Sequence, residues 1–162
     1  MVEYPKYKKV LFCTDFSKNA DCAFDYAFGI ARRDESVLYI LHVTPNNPEG
    51  EILLMNYTTK EEFKKIQKNF QKTLNSQYNE QYLSKIKDRS KVKFVTKSGL
   101  AYEEILRFAV KEEVDLITMG TQGKTGLKYV VLGSVAEKIV RYSPIPVFII
   151  PCKGKSGRDL FR

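Results

Sequence analysis

Tryptophan is absent from this chain of 162 residues, histidine occurs once and cysteine only three times. Cys13, Cys22 and Cys152 are odd in number and widely spaced, so they match neither a disulfide framework nor a zinc site. The longest nearly unbroken apolar run, 145–150, is far shorter than the ~20 residues that a membrane-spanning helix needs. The first residues lack the apolar core of a secretory signal. These absences predict a cytoplasmic protein that has no membrane partner.

Basic residues outnumber acidic ones by 27 to 19, which raises the question of nucleic-acid binding. The excess of basic residues is concentrated in two segments. One runs from Lys60 to Lys97 and contains eleven Lys and Arg residues but only four acidic ones, and the other is 153–162. Lysine predominates in the first of these segments, and no aromatic RNA-binding signature accompanies it. We interpret it as a solvated helix face, and a polyanion- or RNA-binding surface is the alternative.

Short apolar runs alternate with helical patterns along the chain. Mostly apolar strands separated by helices are typical of a parallel sheet that is covered on both faces. The alternation predicts one α/β domain over 1–152, a doubly wound five-stranded parallel sheet with helices on both faces, followed by a basic tail over 153–162. The predicted strands are 8–15, 37–43, 92–96, 114–119 and 147–150.

Four helices are predicted between these strands. Ser17 is a candidate N-cap for the first, and Ser134 with Glu137 forms a capping box that opens the last. The stretch 44–59 is predicted to be a loop with a small apolar insert, and a capping box within 58–62 starts a long helix after it. Apolar residues recur in that helix every three or four positions. We predict that it buries Phe63, Ile66, Phe70, Leu74, Tyr78, Tyr82 and Ile86.

Glycine is concentrated after the fourth predicted strand. Gly120, Gly123 and Gly126 follow that strand, and Gly133-Ser134 precede a helix. Doubly wound sheets bind ligands beyond the carboxyl ends of their strands. Glycine lets backbone N–H groups converge on an anion, and a helix N-terminus adds further free N–H donors. We therefore interpret this segment as a phosphate cradle.

Two other phosphate-binding motifs are excluded. A P-loop ending at Lys124 would need a glycine at position 118, where Thr118 stands, and a helix that begins at the lysine. A dinucleotide site would need Gly-x-Gly-x-x-Gly after the first strand, and that pattern is missing there.

The glycine spacing resembles the ATP-binding signature of the universal stress proteins: Gly120, two residues, Gly123, nine residues, Gly133-Ser134. This resemblance implies a Rossmann-like nucleotide-binding fold, ATP bound together with Mg²⁺ or Mn²⁺, and a role in the stress response. The similarity extends over nearly the whole chain, in the segments 10–17, 41–43, 99–106 and 114–151.

The resemblance also implies roles for individual residues. Thr14 and Asp15 would approach the ribose and the phosphate-bound metal, with Asp15 as a metal ligand. Val43 would contact adenine through its backbone. Gln122 departs from the family, in which a histidine is frequent. The residues implied to bind the nucleotide are Cys13, Thr14, Asp15, Val43, Met119, Gly120, Gln122, Gly123, Gly133, Ser134 and Val135.

Some of these features have a structural alternative. Asp15 also suits a helix cap, and we interpret His42 as a structural side chain. The apolar run 147–150 is predicted to be an edge strand with unpaired backbone groups, which invites pairing. The resemblance implies a homodimer in which these strands meet antiparallel across a two-fold axis.

Three function classes remain. The first is an ATP-binding regulatory module that acts through nucleotide-dependent conformation or partner binding. The second is a slow ATPase or autophosphorylating enzyme, although phosphoryl transfer needs a positioned base, metal ligands and a cation, and only Asp15 is a clear acid here. We therefore predict no catalytic residue. The third is a polyanion-binding protein that uses the basic surface between Lys60 and Lys97.

Overall fold

The computed structural model describes residues 5–122 and 132–152, so Gly123, Lys124 and the basic tail 153–162 lie outside the described residues. Within them the chain forms one five-stranded sheet with the strand order β3-β2-β1-β4-β5. The strands are β1 (Lys9–Thr14), β2 (Val37–Thr44), β3 (Val92–Ser98), β4 (Leu116–Gly120) and β5 (Val147–Ile150). The helices are α1 (Lys18–Asp34), α2 (Pro48–Tyr57), α3 (Lys60–Gln81), α4 (Ala101–Lys111) and α5 (Ser134–Tyr142), with a 3₁₀ turn at Leu83–Lys85.

Every strand pair in this sheet is parallel, and helices cover both faces, so the predicted doubly wound architecture is confirmed. Side chains alternate along the central strand β1. Val10 and Phe12 pack with α1 and the end of α3, whereas Leu11 and Cys13 pack with α4 and α5. No helix within 5–122 or 132–152 is long and apolar enough to cross a membrane.

The segment between β2 and α3 is not the loop that the sequence suggested. Residues 48–57 form α2, with Pro48 at the first helical position. Asn47 is the N-cap, and its side chain accepts a hydrogen bond from the Gly50 N–H. Both features favour a helix start. None of the residues of α2 is buried, although Ile52, Leu53 and Met55 are apolar.

The long helix α3 has two unlike halves. Its capping box is the one at Thr59 and Glu62, and its end packs into the core through Leu74 and Tyr78. The prediction that the whole apolar stripe is buried is wrong for Ile66 and Phe70, which are 40% and 53% exposed, and Phe63 is only partly buried. The stripe has one helical period throughout, but the sheet lies beneath only its C-terminal half.

Cys22 of α1 and Cys152, after β5, are paired as a disulfide with their Cα atoms 5.3 Å apart. The expectation that the cysteines form no such framework is therefore wrong. The two residues are separated by 130 positions, and only the order of the strands brings the start of α1 beside the end of β5.

Because the two halves of α3 differ in burial, replacing an apolar side chain by alanine is expected to affect the free energy of unfolding differently in each half. Leu74→Ala is expected to lower the free energy of unfolding by about 2–5 kcal/mol, because it removes a buried side chain from the core. Phe70→Ala, one helical turn earlier, is expected to change it by about 0.5 kcal/mol or less. Urea denaturation measures both values. Equal losses would contradict the exposed position of the first half of α3.

Candidate functional site

A cleft opens where β1 and β4 separate at their carboxyl ends. The two strands pair from Val10 to Phe12, opposite Leu116 to Thr118. Beyond these pairs β1 continues along β2, and β4 continues along β5. The helix that follows β1, α1, and the helix that follows β4, α5, pack on opposite faces of the sheet, because the strand order reverses between β1 and β4. Ligands of doubly wound sheets bind in such a crevice.

Ten of the eleven residues that sequence reasoning assigned to nucleotide binding line this one cavity, which we call the β1–β4 cleft. Its volume is about 280 Å³. The eleventh, Gly123, lies outside the described residues. The described residues that were predicted and line the cleft are Cys13, Thr14, Asp15, Val43, Met119, Gly120, Gln122, Gly133, Ser134 and Val135. The structure thus brings together four distant parts of the chain.

The turn that follows β1 carries Thr14 and Asp15. Thr14 is buried, and its Oγ1 accepts a hydrogen bond from the Phe16 N–H at 2.9 Å. The Oδ1 of Asp15 accepts a hydrogen bond from the Ser17 N–H at 3.0 Å. Ser17 is the N-cap of α1, as predicted, and its side chain accepts from the Ala20 N–H. The alternative that Asp15 caps α1 is wrong, because the cap is Ser17. Asp15 instead accepts from the N–H of that cap residue and lines the cleft.

The glycine at the end of β4 is required by a close approach of α1. A Cβ atom built on Gly120 would lie 2.7 Å from the backbone oxygen of Asn19, a distance that real Cβ atoms do not show. Any larger residue would push the start of α1 away from β4. This glycine therefore serves the packing of the cleft wall as well as access to its interior.

Gly133 closes the opposite wall and begins α5. Its N–H donates to the Thr121 oxygen at 2.8 Å, and its own carbonyl accepts from the Glu137 N–H at 2.8 Å. Gly133 is the N-cap, and no side chain caps this helix, so the predicted capping box of Ser134 and Glu137 is wrong. Its N–H is also not among the free donors that were expected. The first N–H groups of α5 itself still lack intrahelical acceptors, as at every helix start.

The electrostatic character of the cleft depends on few groups. Burial raises the pKa of the Cys13 thiol far above its ordinary value, so the thiol is protonated at neutral pH and does not act as a nucleophile. Asp15 is the only charged side chain among the described residues that line the cleft. In the described residues no group of three or more His, Cys, Asp or Glu side chains is placed to hold a metal ion.

Other lining residues were missed by the sequence reasoning. They are small or apolar: Ala20, Leu41, Ala101, Ile105, Thr121 and Ala136. Ala20 and Ala136 lie in the first turns of α1 and α5, where a small residue next to a helix start is a weak signal for close approach of a ligand. Leu41 and Ile105 belong to the core on the α4 and α5 side of the sheet, and nothing in the sequence separates them from ordinary packing residues.

The model of the universal stress protein family matches residues 6–151. Universal stress protein MJ0577 of Methanocaldococcus jannaschii is 34% identical over 164 aligned positions, which cover 91% of this chain and 96% of that protein. The solved structure of MJ0577 superposes with a TM-score of 0.71 at 29% identity, over 93% of this chain and 99% of that one.

Two more distant structures share the fold. One is a universal stress protein in complex with cAMP, with a TM-score of 0.60 at 20% identity over 90% of this chain and 98% of that one. The other is the universal stress protein from Archaeoglobus fulgidus in complex with dAMP, with a TM-score of 0.52 at 16% identity over 89% and 98%. The family match over residues 6–151 and the 34% identity with MJ0577 establish that the chain belongs to the universal stress protein family.

Proposed function

We propose that this protein binds ATP together with Mg²⁺ in the β1–β4 cleft and acts as a nucleotide-dependent regulatory module of the stress response. The observation that carries the proposal is the gathering of ten expected nucleotide-binding residues around one cavity at the reversal of strand order. Two structures of similar fold were solved with the adenine nucleotides cAMP and dAMP. They support an adenine nucleotide as the class of ligand.

The two ends of the cleft suit the two ends of a nucleotide. Leu41, Val43 and Ile105 provide an apolar surface against which a base can pack, and the backbone of Val43, which continues β2, offers hydrogen-bonding groups to its edge. Gly133 and Ser134 place the N-terminus of α5 at the other side, where its N–H groups and dipole favour phosphate.

The charge of the cleft favours ATP bound with a metal. Phosphate oxygens near the carboxylate of Asp15 would be repelled, and the described lining residues include no Lys or Arg to offset this. A Mg²⁺ ion held by the phosphates and one carboxylate resolves the conflict, and this is the usual manner in which proteins bind Mg²⁺ with nucleotides. Asp15 is thus the residue that would hold the metal.

A regulatory role is favoured over rapid catalysis. Phosphoryl transfer needs a base or water-positioning group and a cation that stabilises the transition state. Among the described lining residues, Asp15 is the only acid and no such cation is present. We therefore expect hydrolysis of ATP, if measured, to be slow. Cytoplasmic location also stays a prediction.

Gly133→Val tests the site. The φ and ψ angles of Gly133, −63° and 151°, are open to valine, so the fold is expected to keep its helicity while the new side chain enters the cleft. We expect the affinity for Mg-ATP to fall by at least about tenfold, because the new side chain would keep phosphate from the free N–H groups at the start of α5 and one or two charge-assisted hydrogen bonds would be lost. Isothermal titration calorimetry measures the affinity, and circular dichroism the helicity.

Gly29→Val is the matched control. Gly29 lies in α1 with open space around the position of its Cβ, so the same substitution is expected to leave ATP affinity unchanged. Wild-type affinity in Gly133→Val would refute the placement of the phosphates.

We further propose a homodimer in which the β5 strands of two copies pair. β5 is at the edge of the sheet, bonded to β4 on one side. Phe148 points away from the core and is 48% exposed, whereas Val147 and Ile149 pack against the core on the α4 and α5 side. An apolar edge strand of this kind favours pairing with another strand.

Phe148→Glu tests the dimer. We expect it to convert dimers to monomers of 18.7 kDa in multi-angle light scattering, because a charged side chain on an edge strand opposes pairing with another strand. Phe148 is preferable to Val147 or Ile149, whose charging would also disturb the core. Val110→Glu, at a 57% exposed position on α4, is the control that is expected to stay dimeric. A dimeric Phe148→Glu would rule out the edge-strand interface.

A further inference from the structure

A buried pair of hydroxyl groups connects the end of α3 with the turn that follows β1. Tyr82 Oη lies 2.6 Å from Thr14 Oγ1, so one hydroxyl donates to the other, and the side chain of Tyr82 is fully buried. Burial raises the pKa of Tyr82 well above its ordinary value, so the phenol is neutral at physiological pH. Tyr82 does not line the β1–β4 cleft, but Thr14 does.

Thr14 in turn holds the backbone of the turn. Its Oγ1 accepts the N–H of Phe16, and its carbonyl oxygen lies 2.9 Å from Nδ1 of His42. Phe16 has a φ of +60°, in the left-handed region that bulky residues rarely adopt. A backbone of this kind persists only where its surroundings enforce it, and such positions cluster at functional sites.

Three rings surround the side chain of Phe16. Its ring centroid lies 4.7 Å from that of His42, 5.1 Å from that of Tyr78 and 6.1 Å from that of Tyr82. These contacts fix the Phe16 side chain, while the hydroxyl pair fixes the backbone before it. The two tyrosines therefore share the ring contact but differ in what their hydroxyl groups bind: Tyr78 donates to the Val95 oxygen at 3.0 Å, on β3 and not on the turn.

Asp15 lies between the two residues that this network holds. The backbone is held on both sides of it, at Thr14 and at Phe16, and its Oδ1 accepts the N–H of Ser17 at 3.0 Å. If Phe16 relaxed to a negative φ, the backbone on the far side of Asp15 would rotate, and the carboxylate would lose its present relation to the cleft.

We propose that Tyr82 is a positioning residue of the nucleotide site: through Thr14, its hydroxyl keeps the turn after β1 in the left-handed conformation that directs Asp15 toward metal-bound phosphates. This inference rests on the proposed binding of Mg-ATP. It adds the C-cap residue of α3, which lies on the opposite side of the sheet from α4 and α5 and does not line the cleft.

Tyr82→Phe and Tyr78→Phe form a matched pair of variants. Each keeps its aromatic ring and removes one buried hydroxyl, so the loss of stability is expected to be similar. Only Tyr82→Phe removes a hydrogen bond to the turn. The readout is the affinity for ATP measured by calorimetry with and without Mg²⁺, because a change in the position of Asp15 affects the metal-dependent part of binding.

We expect Tyr82→Phe to weaken binding of Mg-ATP by about fivefold to tenfold, the effect of one hydrogen bond, and to leave metal-free ATP binding nearly unchanged. Tyr78→Phe is expected to leave both affinities at the wild-type value. Equal weakening with and without Mg²⁺, equal weakening in both variants, or no weakening in Tyr82→Phe would overturn the proposal.

Hydrogen exchange separates this inference from the proposed function. Exchange of the Phe16 amide, measured by NMR without nucleotide, is expected to be faster in Tyr82→Phe than in Tyr78→Phe. Unchanged exchange overturns the role of Tyr82 even if ATP binds. Wild-type protein that binds no ATP overturns the proposed function, and with it the role of Tyr82 at a nucleotide site. If Tyr82→Phe does not fold, Thr14→Val removes the same hydroxyl pair. The proposal would be refuted if Mg²⁺ changed the ATP affinity of Thr14→Val as much as it changes that of the wild type.

Discussion

The separation of β1 from β4 is the constraint on which the rest of the structure depends. The two strands pair for only three residues, and each then continues beside its other neighbour. This divergence leaves a gap at the centre of an otherwise continuous sheet, and the starts of α1 and α5 form its walls. Gly120 permits the first wall to approach, and Gly133 begins the second. The cleft is therefore a consequence of the strand order, and glycine at position 120 allows α1 to pack close to β4 beside it.

The core on the α1 side is continuous with this cleft. A domain core usually consists of apolar contacts that tolerate substitutions of similar volume. Here it also contains hydroxyl groups at Thr14 and Tyr82, and a ring cluster around a backbone in the left-handed conformation. Buried polar networks specify one arrangement because an unpaired member is costly in a medium of low dielectric constant. Such a network suits a place where a single carboxylate must keep its direction.

Much of this arrangement could be predicted from local patterns. Five apolar runs gave the strands, Ser17 gave the start of α1, and Thr59 with Glu62 gave the start of α3. The predictions failed where a local pattern has two physical outcomes. An apolar stripe predicts burial only if another element covers it, and in the described part of the chain Ile66 and Phe70, in the first half of α3, are exposed. A serine three residues before a glutamate suits a capping box, but at α5 the serine is already the first helical residue and the N-cap is Gly133.

The sequence by itself determined the class of the fold, the family and the group of residues around the cleft, because strand hydrophobicity, helix caps and glycine spacing act over a few neighbouring positions. Only the tertiary structure decided that Cys22 meets Cys152, that the apolar residues of α2 and of the first half of α3 are exposed among the described residues, and that Tyr82 reaches Thr14 across 68 positions of sequence. These are contacts between distant segments. Their partners are selected by the order of the strands and the packing of helices on the sheet, which no short stretch of sequence encodes.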